Sequence, residues 1–115
     1  MSYALSLTKP LGHSREIALL LGNALLAAIA RRKPLLSQSR TDALRIFSGA
    51  GDGIDGVFID IYGPGCVINL YEGRTPRGVE SVAATEALRY LSPLAVRSVY
   101  LKPFAKDRSK MGGDL

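Results

Sequence analysis

Two apolar runs joined by Gly63-Pro64-Gly65 leave the middle of this chain little conformational choice. Val57-Phe58-Ile59-Asp60-Ile61-Tyr62 is β-branched and aromatic, Cys66-Val67-Ile68-Asn69-Leu70-Tyr71 is mostly so, and both have the length of a strand. So short a glycine and proline connection predicts an antiparallel hairpin. Two further strands are expected at 43–47 and at 97–102, the second alternating Val99 and Leu101 with Ser98, Tyr100 and Lys102 and ending at Pro103.

Helices are expected before the first of these strands and between the third and the fourth. Thr75 followed by Pro76 reads as a capping side chain with proline preset at the first helical position. Val79, Val82, Ala83, Ala87, Tyr90 and Leu91 then recur on one face up to Ser92-Pro93. Ser14 is placed to cap an earlier helix over 15–33, with Pro34 as its stop and Ile17, Leu21, Ala24, Leu25 and Ala28 as one stripe. Leu19, Leu20, Leu26 and Ile29 make that helix apolar on other sides too, so it calls for cover from a further domain or a second copy. Residues 1–12 read as an arm and 35–41 as a polar linker. The expected fold class is α+β: a mostly antiparallel four-stranded sheet, the 76–91 helix packed on one face, and an N-terminal apolar helix packed nearby or reaching outward. Residues 1–40 form the arm, helix and linker, and 41–115 the α+β domain. The pattern does not fix the strand order.

With 115 residues, 47% of them hydrophobic, there is material for one domain with its own core. The apolar stretch 17–30 is too short to cross a bilayer. Its Ala28-Ile29-Ala30 end resembles a signal-peptide cleavage site, but Arg31-Arg32-Lys33 follows at once and suits the negative end of a helix dipole instead. A cytoplasmic protein is expected, with no membrane partner. Cys66 is the only cysteine and His13 the only histidine, which excludes an internal disulfide, a cysteine metal cluster, a catalytic triad and a multi-histidine metal site within the chain. Cys66 opens an apolar run and reads as a small core hydrophobe.

The segment Gly49-Ala50-Gly51-Asp52-Gly53-Ile54-Asp55-Gly56 contains both G-x-G-x-G and G-x-G-x-x-G strings. A phosphate-binding loop of that type closes a strand and opens a helix, so that backbone N–H groups and the helix dipole face the anion. Here a strand follows instead, and Asp52 and Asp55 put negative charge where a phosphate would lie. The segment reads as a β connection in which glycines supply positive φ, with Asp52 and Gly53 as turn residues. Asp60, between Ile59 and Ile61, needs solvent or a cation, and Arg45 is the cross-strand candidate. No catalytic, cofactor-binding or metal-ligating residue is assigned.

Lys and Arg number 15 against 10 acids, for a net charge of +5, which favours a polyanionic partner. Two basic groups are candidates for phosphate contact: Arg31, Arg32 and Lys33 near Arg40, and Lys102, Lys106 and Arg108 near Lys110. Tyr62, Tyr71, Tyr100 and Phe104 have rings that can stack on bases, although strand aromatics ordinarily belong to the core, which is where they are expected.

The run over 41–63, with an arginine, a G-x-G-D-G turn and an apolar strand ending in Asp60-Ile61-Tyr62-Gly63, resembles the middle segment of bacterial ribosomal-RNA large-subunit cytosine-C5 methyltransferases. The resemblance extends over roughly 40–112, with Val99-Tyr100-Leu101-Lys102 similar to the family's last strand there and Asp107-Arg108-Ser109 to its basic exit. In that family the string joins an N-terminal RNA-binding domain to a catalytic Rossmann domain. Three things are implied: a parent enzyme that uses S-adenosylmethionine, a catalytic domain beyond this stretch as a partner, and a non-catalytic accessory role here in positioning ribosomal RNA or docking that domain. Arg45, Asp52, Gly53 and Asp60 would then hold the connection, while Arg31, Arg32, Lys33, Lys102, Lys106 and Arg108 would face RNA. A second reading is a stand-alone module that forms a homodimer through the apolar first helix. A third, a small enzyme using the glycine loop for a nucleotide, lacks the helix such a loop requires.

Overall fold

The computed structural model describes residues 8–38 and 43–105, with side chains other than those of 8–13 and 37–38. The elements follow in the order α1 (Thr8–Arg31), α2 (Lys33–Gln38), β1 (Ala43–Ser48), a 3-10 turn (Gly49–Asp52), β2 (Val57–Tyr62), β3 (Gly65–Tyr71), α3 (Val79–Leu91), a second 3-10 turn (Ser92–Leu94) and β4 (Ser98–Phe104). The fold is α+β, as expected. The four strands lie in the order β1-β2-β3-β4, with β2 antiparallel to both β1 and β3 and β4 parallel to β3. The sheet is therefore mixed. Helix α3 makes the crossover that a parallel neighbour needs.

The β2–β3 hairpin closes as the sequence predicts, with Tyr62 opposite Gly65 across the two-residue turn Gly63-Pro64. Its inward alternation puts Val57 and Ile59 from β2, and Cys66, Ile68 and Leu70 from β3, under the helices. A bulge between Arg45 and Phe47 lets both Ile46 and Phe47 turn inward from β1. From above, α1 contributes Leu21, Leu25 and Ala28, and α3 contributes Val79, Ala83, Ala87 and Leu91; all belong to one core. These are the stripes that the 3.6-residue period marks. Glycine lets α3 side chains lie close against α1 at position 22, where a Cβ would come within 2.9 Å of the Tyr90 ring and 3.2 Å of a Glu86 carboxylate oxygen. Burial pushes the Cys66 thiol up to about 11, so it is an inert core group.

Several boundaries differ from expectation. Helix α1 begins at Thr8 rather than being capped at Ser14, because Pro10 falls in its first turn, where its lacking N–H is no loss. The polar stretch after Pro34 is helical to Gln38, with Pro34 again in a first turn, and residues 39–42 lie outside the described part. Helix α3 begins at Val79 behind Gly78, whose φ of 93° no capping side chain relieves. Thr75 does not cap it. Its hydroxyl donates to the Gly56 and Tyr71 carbonyls instead, each at 3.0 Å. That seat requires glycine at 56, where a Cβ would lie 2.5 Å from the Thr75 nitrogen and φ is +82°. Strand β4 continues through Pro103 to Phe104, which an edge strand tolerates because the missing N–H need not face a neighbour.

Candidate nucleic-acid interface

The two sides of the sheet present their charges differently. On the helix side, Asp52 is nearly buried at the end of the 3-10 turn and accepts hydrogen bonds from three directions. Arg32 forks onto it, with Nη2 to Oδ2 at 2.7 Å and Nη1 to Oδ1 at 3.1 Å. Arg31 donates to Oδ1, and the Ser48 backbone N–H donates to Oδ2 at 2.6 Å. Burial acts most strongly on this carboxyl and would raise its pKa. The hydrogen bonds from Arg32, Arg31 and the Ser48 N–H together outweigh it and hold the group at about 2. Arg32 also donates to the Arg45 carbonyl at 2.9 Å and to the Ala28 carbonyl at 3.2 Å, so a single side chain joins the end of α1 to β1 and to the glycine turn.

On the opposite side, Arg45 and Asp60 face each other across β1 and β2 as expected and form a bidentate pair at 2.7 and 2.9 Å. The bond to Asp60 holds the Arg45 guanidinium above its ordinary pKa, against a partial loss of hydration. That guanidinium also lies 5.1 Å from the centre of the Phe58 ring. Asp55, at the end of the turn, pairs with Arg74 at 2.8 Å; this bond lowers the Asp55 carboxyl and raises the Arg74 guanidinium.

The sequence-predicted residues thus separate into groups. Arg31 and Arg32 meet Asp52 on the helix side, and Lys33 is exposed at the start of α2. Lys102 is exposed on β4, its ammonium 5.8 Å from the Phe104 ring centre. Lys106 and Arg108 lie outside the described residues. Gly53 follows the 3-10 turn with φ of 105°, the positive value expected of it. The glycine segment forms that turn and runs on to β2 without opening an α-helix. The tyrosines depart from expectation. Tyr62, Tyr71 and Tyr100 are 52%, 38% and 61% exposed, because all three point away from the helices. Tyr71 stacks on Phe104 at 4.8 Å and meets Phe58 edge-on at 5.6 Å. Sequence reasoning treated Asp52 as a turn acid; its spacing from the Arg31-Arg32 pair gave no sign that the fold brings the three together.

A shallow groove of about 720 Å³ opens where β3 and β4 end beside the start of α3, lined by Leu70, Glu72, Thr75, Arg77, Glu80 and Phe104 among others. Its two carboxylates are ill suited to an anionic ligand. Among the described residues no cluster of histidine, cysteine or carboxylate side chains could hold a metal, and no helix is long and apolar enough to cross a membrane.

No protein-family model matches the chain, and no curated protein sequence matches it significantly. Solved structures do match, and they share this fold over part of their own longer chains. One is SMU.776, a proposed methyltransferase complexed with SAH, at TM-score 0.56 and 21% identity over 74% of this chain. Another is a proposed SAM-dependent methyltransferase from Streptococcus mutans, at TM-score 0.55 and 22% identity over 74% of this chain. The chain spans 22% of the length of each.

Proposed function

We propose that this chain is a non-catalytic accessory segment of an S-adenosylmethionine-dependent RNA methyltransferase of the ribosomal-RNA cytosine-C5 type, and that it positions RNA for a separate catalytic domain. The observation that carries this reading is the fold likeness to a segment making up 22% of each proposed methyltransferase. The resemblance of residues 41–63 to the pre-catalytic string of the ribosomal-RNA enzymes supplies the substrate class. The proposed RNA contacts are Lys33, Lys102, Lys106 and Arg108, with Arg31 free to contribute only the part of its guanidinium not held by Asp52. Arg32, Arg45, Asp52 and Asp60 have structural work to do in either case.

The test is calorimetric titration of the 115-residue chain with S-adenosylmethionine beside a salt series of RNA binding. Salt-sensitive RNA association without cofactor binding supports the reading. Cofactor binding, or no association with RNA at any salt concentration, contradicts it.

One observation favours a second reading, the stand-alone dimerising module. Leu19, Leu20 and Leu26 are exposed on the outer side of α1, and Leu35 is exposed on α2. In the first reading this aliphatic surface docks the catalytic domain; in the second it pairs two copies. A mass that rises with concentration and falls on Leu19→Glu substitution, with RNA having no effect, would favour the second.

A further inference from the structure

The register fixes which side chains share the face of the sheet that no helix covers among the described residues. Tyr71 and Phe104 are paired at one end, followed by Phe58, Asn69 and Lys102, then Arg45, Asp60, Val67 and Tyr100, and last Tyr62, Gly65 and Ser98. Successive rows lie about 7 Å apart, the rise of two strand residues. Five aromatic rings therefore occupy one side of a four-stranded sheet whose other side is filled by α1 and α3. We propose that this face is a stacking surface for the unpaired bases of single-stranded RNA, an inference that rests on the accessory role proposed above.

Three observations lead there. Among the described residues, the exposed rings Tyr62, Tyr71 and Tyr100 all lie on this face, whereas the exposed leucines lie elsewhere, on α1, α2 and α3 and on the helix side of β4. Beyond the small Ala43, Val67 is the face's single aliphatic side chain, whereas a face built to pack a protein core would be expected to carry more. Both cations on the face lie beside rings, Arg45 with Phe58 and Lys102 with Phe104, so flat π surfaces and positive charge coincide. Finally, the one acid among these rows, Asp60, is neutralised in both oxygens by Arg45, and Asp55 at the rim is paired with Arg74. A polyanion meets little uncompensated negative charge. Unpaired bases can splay onto such rings, whereas those of a duplex are stacked on one another and cannot reach them. Gly65 helps to keep the surface open, since a Cβ there would meet Ser98 Oγ at 3.3 Å and the Tyr100 ring at 3.8 Å.

The experiment is fluorescence anisotropy of a short labelled oligouridylate, and of an RNA duplex of equal charge, with the wild-type chain, the Tyr62→Ala/Tyr100→Ala variant, the Tyr62→Phe/Tyr100→Phe variant and Lys102→Ala. The single strand is expected to bind more tightly than the duplex. The alanine variant should bind it roughly 5- to 150-fold more weakly per lost stack, while the phenylalanine variant keeps its affinity. Lys102→Ala should flatten the salt slope by about 0.7, one phosphate on a single strand. Equal affinity for duplex, or an alanine variant that keeps its circular dichroism and its affinity, overturns the assignment while leaving the accessory role standing. Loss of self-association in the alanine variant would show that the face docks a second copy and also overturns it. No association with either RNA defeats both readings.

Discussion

The two faces of the sheet use the same ion-pair chemistry to different ends. Beneath α1, Asp52 is all but buried and takes its hydrogen bonds from two guanidinium groups and a backbone N–H. On the open face, Arg45 and Asp60 form a geometrically good pair with the Arg45 side chain half in water. The buried site is over-determined, because a helix end, a strand and a glycine turn all depend on one carboxylate. The exposed site is local to two strands. Charge that holds the fold is thus gathered on the covered side, which leaves the open side available to meet a partner without endangering the structure.

The comparison is broken most severely at Asp52. Asp52→Ala strands Arg32 in a mostly buried setting, and chemical denaturation should show a loss of about 3 kcal/mol or more. Acid tests the same group more gently. Its pKa falls from an ordinary 3.8 to about 2 in the folded chain, so the stability it contributes is fully present above about pH 4 and is lost as pH falls from there towards 2. The loss should be on the order of 2 kcal/mol, and an Asp52→Asn variant should lack that step in its denaturation-versus-pH profile. Arg45→Ala on the open face should cost less, about 0.5–1 kcal/mol in the same denaturation assay, with a salt dependence that the Asp52 site lacks. Smallest of all, Tyr100→Ala should change stability by no more than about 0.5 kcal/mol, since its ring is mainly in solvent. A large loss there would mean that the open face serves the fold after all.

How much of this was legible in the sequence varied with the range of the interaction. The β2–β3 hairpin was, because Gly63-Pro64 admits few alternatives, and the Arg45–Asp60 pair followed from placing two charged residues on adjacent strands. The inward stripes of α1 and α3 were also evident, since amphipathic periodicity is a local signal. Helix starts were less so: Pro10 and Pro34 look like breaks but sit in first turns, and Thr75 looks like a cap but turns back to Gly56. The role of Asp52 was hidden, because its partners are about twenty residues away and meet it only once α1 lies over β1. The exposed tyrosines were hidden for a related reason. Alternation separates the two faces of a strand, but only the placement of the helices decides which face is covered. The α+β class expected from the strand and helix pattern is the one observed, and two proposed methyltransferases share the fold over part of their length; the ribosomal substrate and the RNA-facing residues stand as proposals.

The central claim, that the covered face holds the molecule together and the open face meets single-stranded RNA, is tested most directly by mapping backbone amide chemical shifts of the chain on addition of an oligouridylate. The account predicts shifts concentrated at Phe58, Asn69, Tyr71, Tyr100 and Lys102, with Gly22, Ala83 and Ala87 unmoved. Shifts confined to the outer side of α1 around Leu19 and Leu26, or none anywhere, would contradict it.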